Sequence, residues 1–167
     1  MAELEAEIAR LIREYQAKTG KLLTIGTVES ATGGRIADRI TNVPGSSDYF
    51  KGSVIAYSNE VKTALPGVKR ATIENYGAVS AQTALEMAQG GRKLLDVDIC
   101  ISDTGIAGPS GDSPDKPVGL FYLGLAARGE NLSEKHAFAG NRGENKRDAA
   151  EAALNTLKQY LLQLLQQ

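Results

Sequence analysis

Leu22-Leu23-Thr24-Ile25-Gly26-Thr27-Val28-Glu29-Ser30-Ala31-Thr32-Gly33-Gly34 opens on a run rich in Leu, Ile, Val and Thr and closes on a small, polar, glycine-ended turn. Branched and apolar side chains fit a pleated, buried surface, so Leu22 to Val28 reads as a β-strand. Arg35 to Ile40 then takes up a short helical pattern. The order is strand, tight turn, helix start, the unit from which α/β folds are assembled.

Upstream, Leu4, Ile8, Leu11, Ile12 and Tyr15 recur at helical spacing and predict an amphipathic helix ending near Gly20. Downstream, Asn42 to Ser47 reads as a loop, Gly52 to Tyr57 as a second strand, and Ser58-Asn59-Glu60 as the cap of a helix that carries Val61, Lys62 and Leu65 and stops at Pro66-Gly67. A short helix is expected over Ala71 to Tyr76. A longer one is capped by Ser80 and runs to about Leu94, with Ala84, Met87, Ala88 and Leu95 on its apolar side. Asp98 to Thr104 is β-prone and feeds the Gly/Pro-rich stretch Gly105 to Gly119. Leu120 to Ala127 and Glu134 to Phe138 read as a hairpin across Arg128-Gly129-Glu130-Asn131. From about Glu144, Ala149, Ala153, Leu157, Tyr160, Leu161 and Leu164 describe a C-terminal helix. This alternation predicts a single domain over 1–167: a three-layer α/β/α sandwich with a mixed sheet.

Composition narrows the function classes. With 167 residues, 42% of them hydrophobic and 23% charged, the chain has the make-up of one globular domain. Its 19 basic and 20 acidic residues balance to a net charge of -1, too little field to recruit nucleic acid or an anionic membrane. Met1 to Arg13 lacks the basic start and apolar stretch of a signal peptide, and no run is long enough to span a membrane. Cys100 is the only cysteine, which excludes an intramolecular disulfide and a CxxC metal site. A cytoplasmic protein with no metal and no cofactor is expected.

Three polar clusters follow three predicted strands: Glu29-Ser30, Tyr57-Ser58-Asn59 and Thr104-Gly105. The crevice beyond the carboxyl ends of parallel strands is where open α/β sheets bind ligands. Ser30 is the candidate nucleophile, with the N–H groups of Ala31, Thr32, Gly33 and Gly34 as unpaired donors at a helix start for an oxyanion or phosphate. Equally, Ser30 and Thr32 read as plain helix caps. His136, the only histidine, falls in the hairpin, so a Ser-His-Asp triad is not expected. Lys62 is the alternative base, since a buried lysine loses its charge and can accept the serine proton. Each unit by which its pKa is lowered costs about 1.4 kcal/mol, which burial in a closed cleft supplies and an exposed helix face does not. Tyr57 is placed to relay a proton or position a leaving group; taken alone, Tyr57 also reads as core and Lys62 as a solvated lysine. Arg142, Lys146 and Arg147 form a basic cluster suited to an anionic substrate group.

Taken together, Glu29 to Gly34, Val43-Pro44-Gly45-Ser46-Ser47, Tyr57 to Lys62, Gly77-Ala78-Val79-Ser80, Thr104 to Pro109, Lys116 to Gly119 and Phe138 to Arg142 resemble the C-terminal domain of the CinA proteins, a family that also occurs as the stand-alone nicotinamide-nucleotide amidohydrolase PncC. The resemblance implies metal-free deamidation of nicotinamide mononucleotide to nicotinic acid mononucleotide and ammonia by a homodimer. It places the nucleophile on Ser30, the lysine on Lys62 and the tyrosine on Tyr57, and substrate contacts on Ser47, Asn59, Thr104, Gly105 and Arg142. The chain departs from the family pattern at Ala31, Asp103, Asn141 and Lys146. A carboxylate of Asp103 aimed into the cleft would repel a phosphate and hold Lys62 charged. Against the amidohydrolase stand an inactive nucleotide-binding module of the same fold and an interaction domain working through the apolar stripe Leu157, Leu161 and Leu164.

Overall fold

The computed structural model describes residues 3–167 and contains five strands and six α-helices among them. In chain order these are α1 (Leu4–Thr19), β1 (Ile25–Glu29), α2 (Arg35–Thr41), β2 (Phe50–Ile55), α3 (Asn59–Ala64), α4 (Arg70–Tyr76), α5 (Ala81–Leu95), β3 (Ile99–Gly105), β4 (Leu120–Ala127), β5 (Glu130–Ala137) and α6 (Arg142–Leu165). The strands form one sheet in the order β2-β1-β3-β4-β5. β2, β1 and β3 are parallel, while β3, β4 and β5 pair antiparallel. The expected three-layer α/β/α architecture with a mixed sheet is what the chain forms.

Two unequal cores sit on the two faces of the sheet. On one, Ile8, Leu11 and Ile12 of α1, Ile36 and Ile40 of α2, and Leu154, Leu157 and Leu161 of α6 bury Ile25, Ile99, Ile101, Leu123 and Leu125. Leu157 and Leu161 are thus filled within the chain and Leu164 packs against the same core, so the stripe that motivated an interaction domain is not free. On the other face α5 lies close to the sheet because it presents small residues, Ala84, Ala88 and Gly91. There Met87 joins Val28, Cys100, Val68 and Ala56.

This arrangement opens the site. β1 leads into α2 on the first face, whereas β2 leads through α3 and α4 to α5 on the second. Connections leaving two adjacent parallel strands therefore part to opposite faces, which leaves a crevice at their carboxyl ends. β1, flanked on both edges, is buried along its whole length and reads as a continuous run rather than an alternating one.

Four elements differ from expectation by two residues or more: β2 runs Phe50–Ile55 rather than Gly52 to Tyr57, so Tyr57 lies beyond the strand, and three others are β1, β5 and α6. β1 begins at Ile25 rather than Leu22, where pairing with both neighbours starts. β5 begins at Glu130 rather than Glu134: the hairpin turn is only Arg128-Gly129, with Gly129 at φ +80° and Ala127 opposite Glu130. Charge disguised this stretch, because β5 is an edge strand alternating half-buried and exposed positions, and charged residues on an edge discourage further pairing. α6 begins at Arg142 because Asn141 and Glu144 form a reciprocal capping box.

The loop after α3 is held to α5 at a backbone approach only glycine permits. A Cβ at Gly90 would overlap the Pro66 carbonyl. Gly90→Ala is expected to lower the unfolding free energy by about 1–3 kcal/mol through overpacking, although alanine is the better helix former. Urea denaturation checks this, and a more stable variant would contradict the packing described.

Candidate active site

β1 ends at Glu29, and Ser30 turns out at the bottom of a cleft of about 350 Å³ lined by Ser30, Ala31, Tyr57, Asn59, Lys62, Ala78, Val79, Thr104, Gly105, Ile106, Ala107, Ser110, Gly111 and Arg142. The three clusters that follow the three parallel strands meet there. α3 starts at the Ser58 cap, whose side chain accepts the Val61 N–H, and its single buried side chain is Lys62, 2% exposed. The Lys62 Nζ lies 2.9 Å from the Ser30 Oγ and donates to the Tyr57 carbonyl oxygen at 2.8 Å. Burial pushes its pKa below the ordinary lysine range, while the Asp103 carboxyl acts in the opposite direction.

Tyr57 does something other than expected. Its hydroxyl accepts from Arg142 at 3.2 Å and bonds neither Lys62 nor Ser30, so a relay through the phenol has no hydrogen-bonded path. Its backbone carbonyl is what holds the lysine, and the 61% exposed ring stands at the cleft mouth. Arg142 also donates to the Gly108 carbonyl at 2.9 Å. No acidic side chain pairs with it among the described residues, and its charge is the cleft's free cation. Lys146 reaches the Gly33 turn instead, and Arg147 lies outside, paired with Asp148.

The turn donors are mostly spent internally. The Thr32 N–H goes to Asp103, that of Gly33 to the Ser30 carbonyl, and that of Gly34 to Glu29. Gly33 and Gly34 take positive φ, which shapes the turn, but they and the fully buried Thr32 do not line the cleft. Of the four expected donors, Ala31 alone keeps an N–H with no partner among the described residues, and it does line the cleft. The helix start is already occupied. The Glu29 carboxylate, completely buried, accepts the N–H groups of Gly34, Ile36 and Ala37 at 2.9–3.1 Å, so it is the anion that α2 carries.

Ser47 is a correction. It sits in the 3-10 turn Ser46–Asp48 that precedes β2, exposed, at the opposite end of the parallel strands from Ser30. The six residues of β2 carry the chain roughly 20 Å between the two ends. Asn59, Thr104 and Gly105 are in the cleft as expected, Thr104 with its hydroxyl donated to the Ala78 carbonyl at 2.7 Å.

Asp103 points away from the open cleft. It lies beneath the turn, accepting the Ser30 N–H at 3.0 Å and the Thr32 N–H at 3.1 Å. Burial, with Glu29 nearby, pushes its carboxyl up to about 6 against the pull of these donors. Motif reading left Glu29 without a role and missed Asn145, which is buried and ties the loop down by donating to the Ala107 carbonyl and accepting the Gly140 N–H. His136 is on β5, stacked on Phe138 and bonded to Glu134, remote from the cleft lining. Cys100 is buried with its thiol pushed up to about 12, which leaves no thiolate to act as a nucleophile. Among the described residues no three His, Cys, Asp or Glu side chains form a group able to hold a metal ion, and no helix is long and apolar enough to cross a membrane.

Glu29→Gln is expected to cost about 3 kcal/mol of stability, because charge-assisted bonds to three helix N–H groups are lost in a fully buried position. Chemical denaturation measures it, and an unchanged midpoint would show that Glu29 does not hold α2.

A family model described as the CinA C-terminal domain matches residues 3–161. A CinA-like protein of Dictyoglomus thermophilum is 48% identical over 162 residues, covering 97% of this chain and 39% of that protein. Another, from Kosmotoga olearia, is 47% identical over 162 residues, with 97% and 38% covered. The chain thus spans less than two fifths of the length of these curated relatives. The crystal structure of competence/damage inducible protein CihA from Agrobacterium tumefaciens superposes with a TM-score of 0.85 at 35% identity, covering 94% of each chain. That of a competence or damage-inducible protein from Enterobacter asburiae gives 0.88 at 28% identity, covering 95% of this chain and 96% of that one.

Proposed function

The chain belongs to the family of CinA C-terminal domains, and from that premise we propose that it is a serine amidohydrolase releasing ammonia from the carboxamide of nicotinamide mononucleotide. The observation that carries this reading is the buried amine of Lys62 at 2.9 Å from the hydroxyl of Ser30.

In the proposed reaction the Ser30 Oγ attacks the carboxamide carbon and its proton passes to uncharged Lys62, the only basic side chain among the described residues in hydrogen-bond contact with it. The carbonyl oxygen becomes an oxyanion, for which the free Ala31 N–H is the available backbone donor. Lys62 returns the proton to the departing nitrogen, so ammonia leaves and an acyl-serine remains. Water, deprotonated by Lys62, then frees nicotinic acid mononucleotide and restores the serine. The Tyr57 carbonyl keeps the amine aimed at Ser30 through these steps. Arg142, uncompensated at the cleft mouth and braced by Gly108 and Tyr57, is suited to the phosphate end of the substrate. The protein is proposed to work as a cytoplasmic homodimer without a cofactor.

Ser30→Ala and Lys62→Ala are each expected to lower ammonia release by roughly 10³-fold or more while the far-ultraviolet circular dichroism is kept. Unchanged turnover in either, or tight mononucleotide binding by the native protein with no product on long incubation, contradicts the reading. The pH dependence has a definite sign. A protonated Lys62 is inactive, so kcat/KM rises with pH through the lysine's pKa, and because burial lowers that pKa the rise falls at lower pH than an exposed lysine would give. A profile without this acid limb rules out the lysine as base.

A further inference from the structure

Beneath the turn that carries Ser30, the hydroxyl of Thr32 touches two carboxyl groups at once. It is 2.8 Å from the Glu29 Oε1 and in still closer contact with the Asp103 Oδ1. All three residues are at most 1% exposed, so water does not mediate. The register makes this meeting unavoidable, since Val28 pairs with Ser102 and the next residue on each strand is a carboxylate.

Hydrogens can be counted here. A threonine hydroxyl has one proton and donates once; its remaining capacity is to accept. Two ionised carboxylates on that one hydroxyl would leave one of them facing a lone pair with no proton between, in a dry interior where such a contact is expensive. An additional proton removes the conflict, and the surrounding donors say where it resides. Glu29 accepts the N–H groups of Gly34, Ile36 and Ala37 and the Thr27 hydroxyl at 3.0 Å, a full set for a carboxylate at a helix start. Apart from the Thr32 hydroxyl, Asp103 meets only the N–H groups of Ser30 and Thr32 among the described residues.

We infer that Asp103 stays a neutral carboxylic acid well above the pH at which exposed aspartates ionise, donating its proton to the Thr32 hydroxyl, which donates in turn to ionised Glu29, so that one proton shared by the pair fixes the Ser30 turn. Asp103 is then a positioning residue. It grips the backbone on either side of Ala31, and it does so without placing a negative charge under Lys62. The charged groups facing the pair are Lys62 from α3 and Lys146 from α6 at the Gly33 turn. β2 contributes only the Ser53 hydroxyl next to Glu29, and β4 places Leu123 opposite Asp103. An ionised Asp103 would favour the ammonium form of Lys62. A neutral one removes that bias, and this consequence rests on the amidohydrolase reading whereas the protonation state does not.

The test is carbon-13 NMR of the whole protein with labelled aspartate carboxyls, the Asp103 resonance being assigned through its own backbone. At about pH 5, above the ordinary aspartate range near 4 but below the raised value of Asp103, the Asp103 carboxyl carbon is expected at the position of a protonated acid while the exposed aspartates sit at the ionised position. An Asp103 carbon titrating with the exposed aspartates overturns the inference, and so does a protonated signal found on Glu29 in a glutamate-labelled sample. This readout is indifferent to whether the protein turns over any amide. In the active enzyme, Asp103→Asn replaces O–H by N–H toward Thr32 at the expense of the Ser30 N–H acceptor. The acid limb of kcat/KM is expected to stay where it was. A clear move of the limb to lower pH would mean that a charge had been removed, and would overturn the inference.

Discussion

A primary amine taken out of water keeps its charge only if another charge or a full set of acceptors accompanies it. Lys62 has neither. Its nitrogen meets one hydroxyl and one carbonyl, and the nearest carboxyl lies beneath the turn rather than in contact. Desolvation therefore favours the neutral form, and a neutral amine is an acceptor for the very proton that Ser30 loses in the proposed reaction. Each layer of the fold serves this contact. The sheet order brings β1 and β2 side by side, the diverging connections open a crevice beyond them, and α3 is pinned from behind where the Pro66 carbonyl meets Gly90.

The turn that carries Ser30 illustrates how an apparently free anion site can be closed from within. Its N–H groups look like an oxyanion hole in sequence, yet two buried carboxyls and the Ser30 carbonyl take all but one of the four. Glu29 neutralises the start of α2, and Asp103 binds the backbone of Ser30 and Thr32. What remains is one donor, the Ala31 N–H, placed by rigid neighbours. A single donor held by a buried network is better aimed than several on a mobile loop.

Much of this was legible in the chain. The run from Leu22 to Val28 and the glycine turn beyond it mark the central strand, and three polar clusters after three strands mark one cleft. That Lys62 comes within reach of Ser30 is an expectation set by the family resemblance, since the residues alone also allow a solvated lysine; the structure places the two 2.9 Å apart. Other features were not legible, for definite reasons. β5 hid because an edge strand carries charge where a buried one carries Val or Ile. Ser47 lies in a motif shared with the family, but motif order does not say which end of a strand a loop occupies. The Tyr57 contribution comes from its carbonyl, which any residue possesses. Glu29 and Asp103 acquire meaning only when β1 and β3 are known to pair in a particular register, a long-range fact invisible to local pattern.

The central claim is that Lys62 carries no charge in the proposed reaction, and nitrogen-15 NMR of the lysine side chains measures it most directly. The account predicts one Nζ resonance, absent from Lys62→Met, at the neutral-amine position over a pH range in which the remaining lysines are ammonium ions. A Lys62 signal that titrates together with the exposed lysines would contradict it.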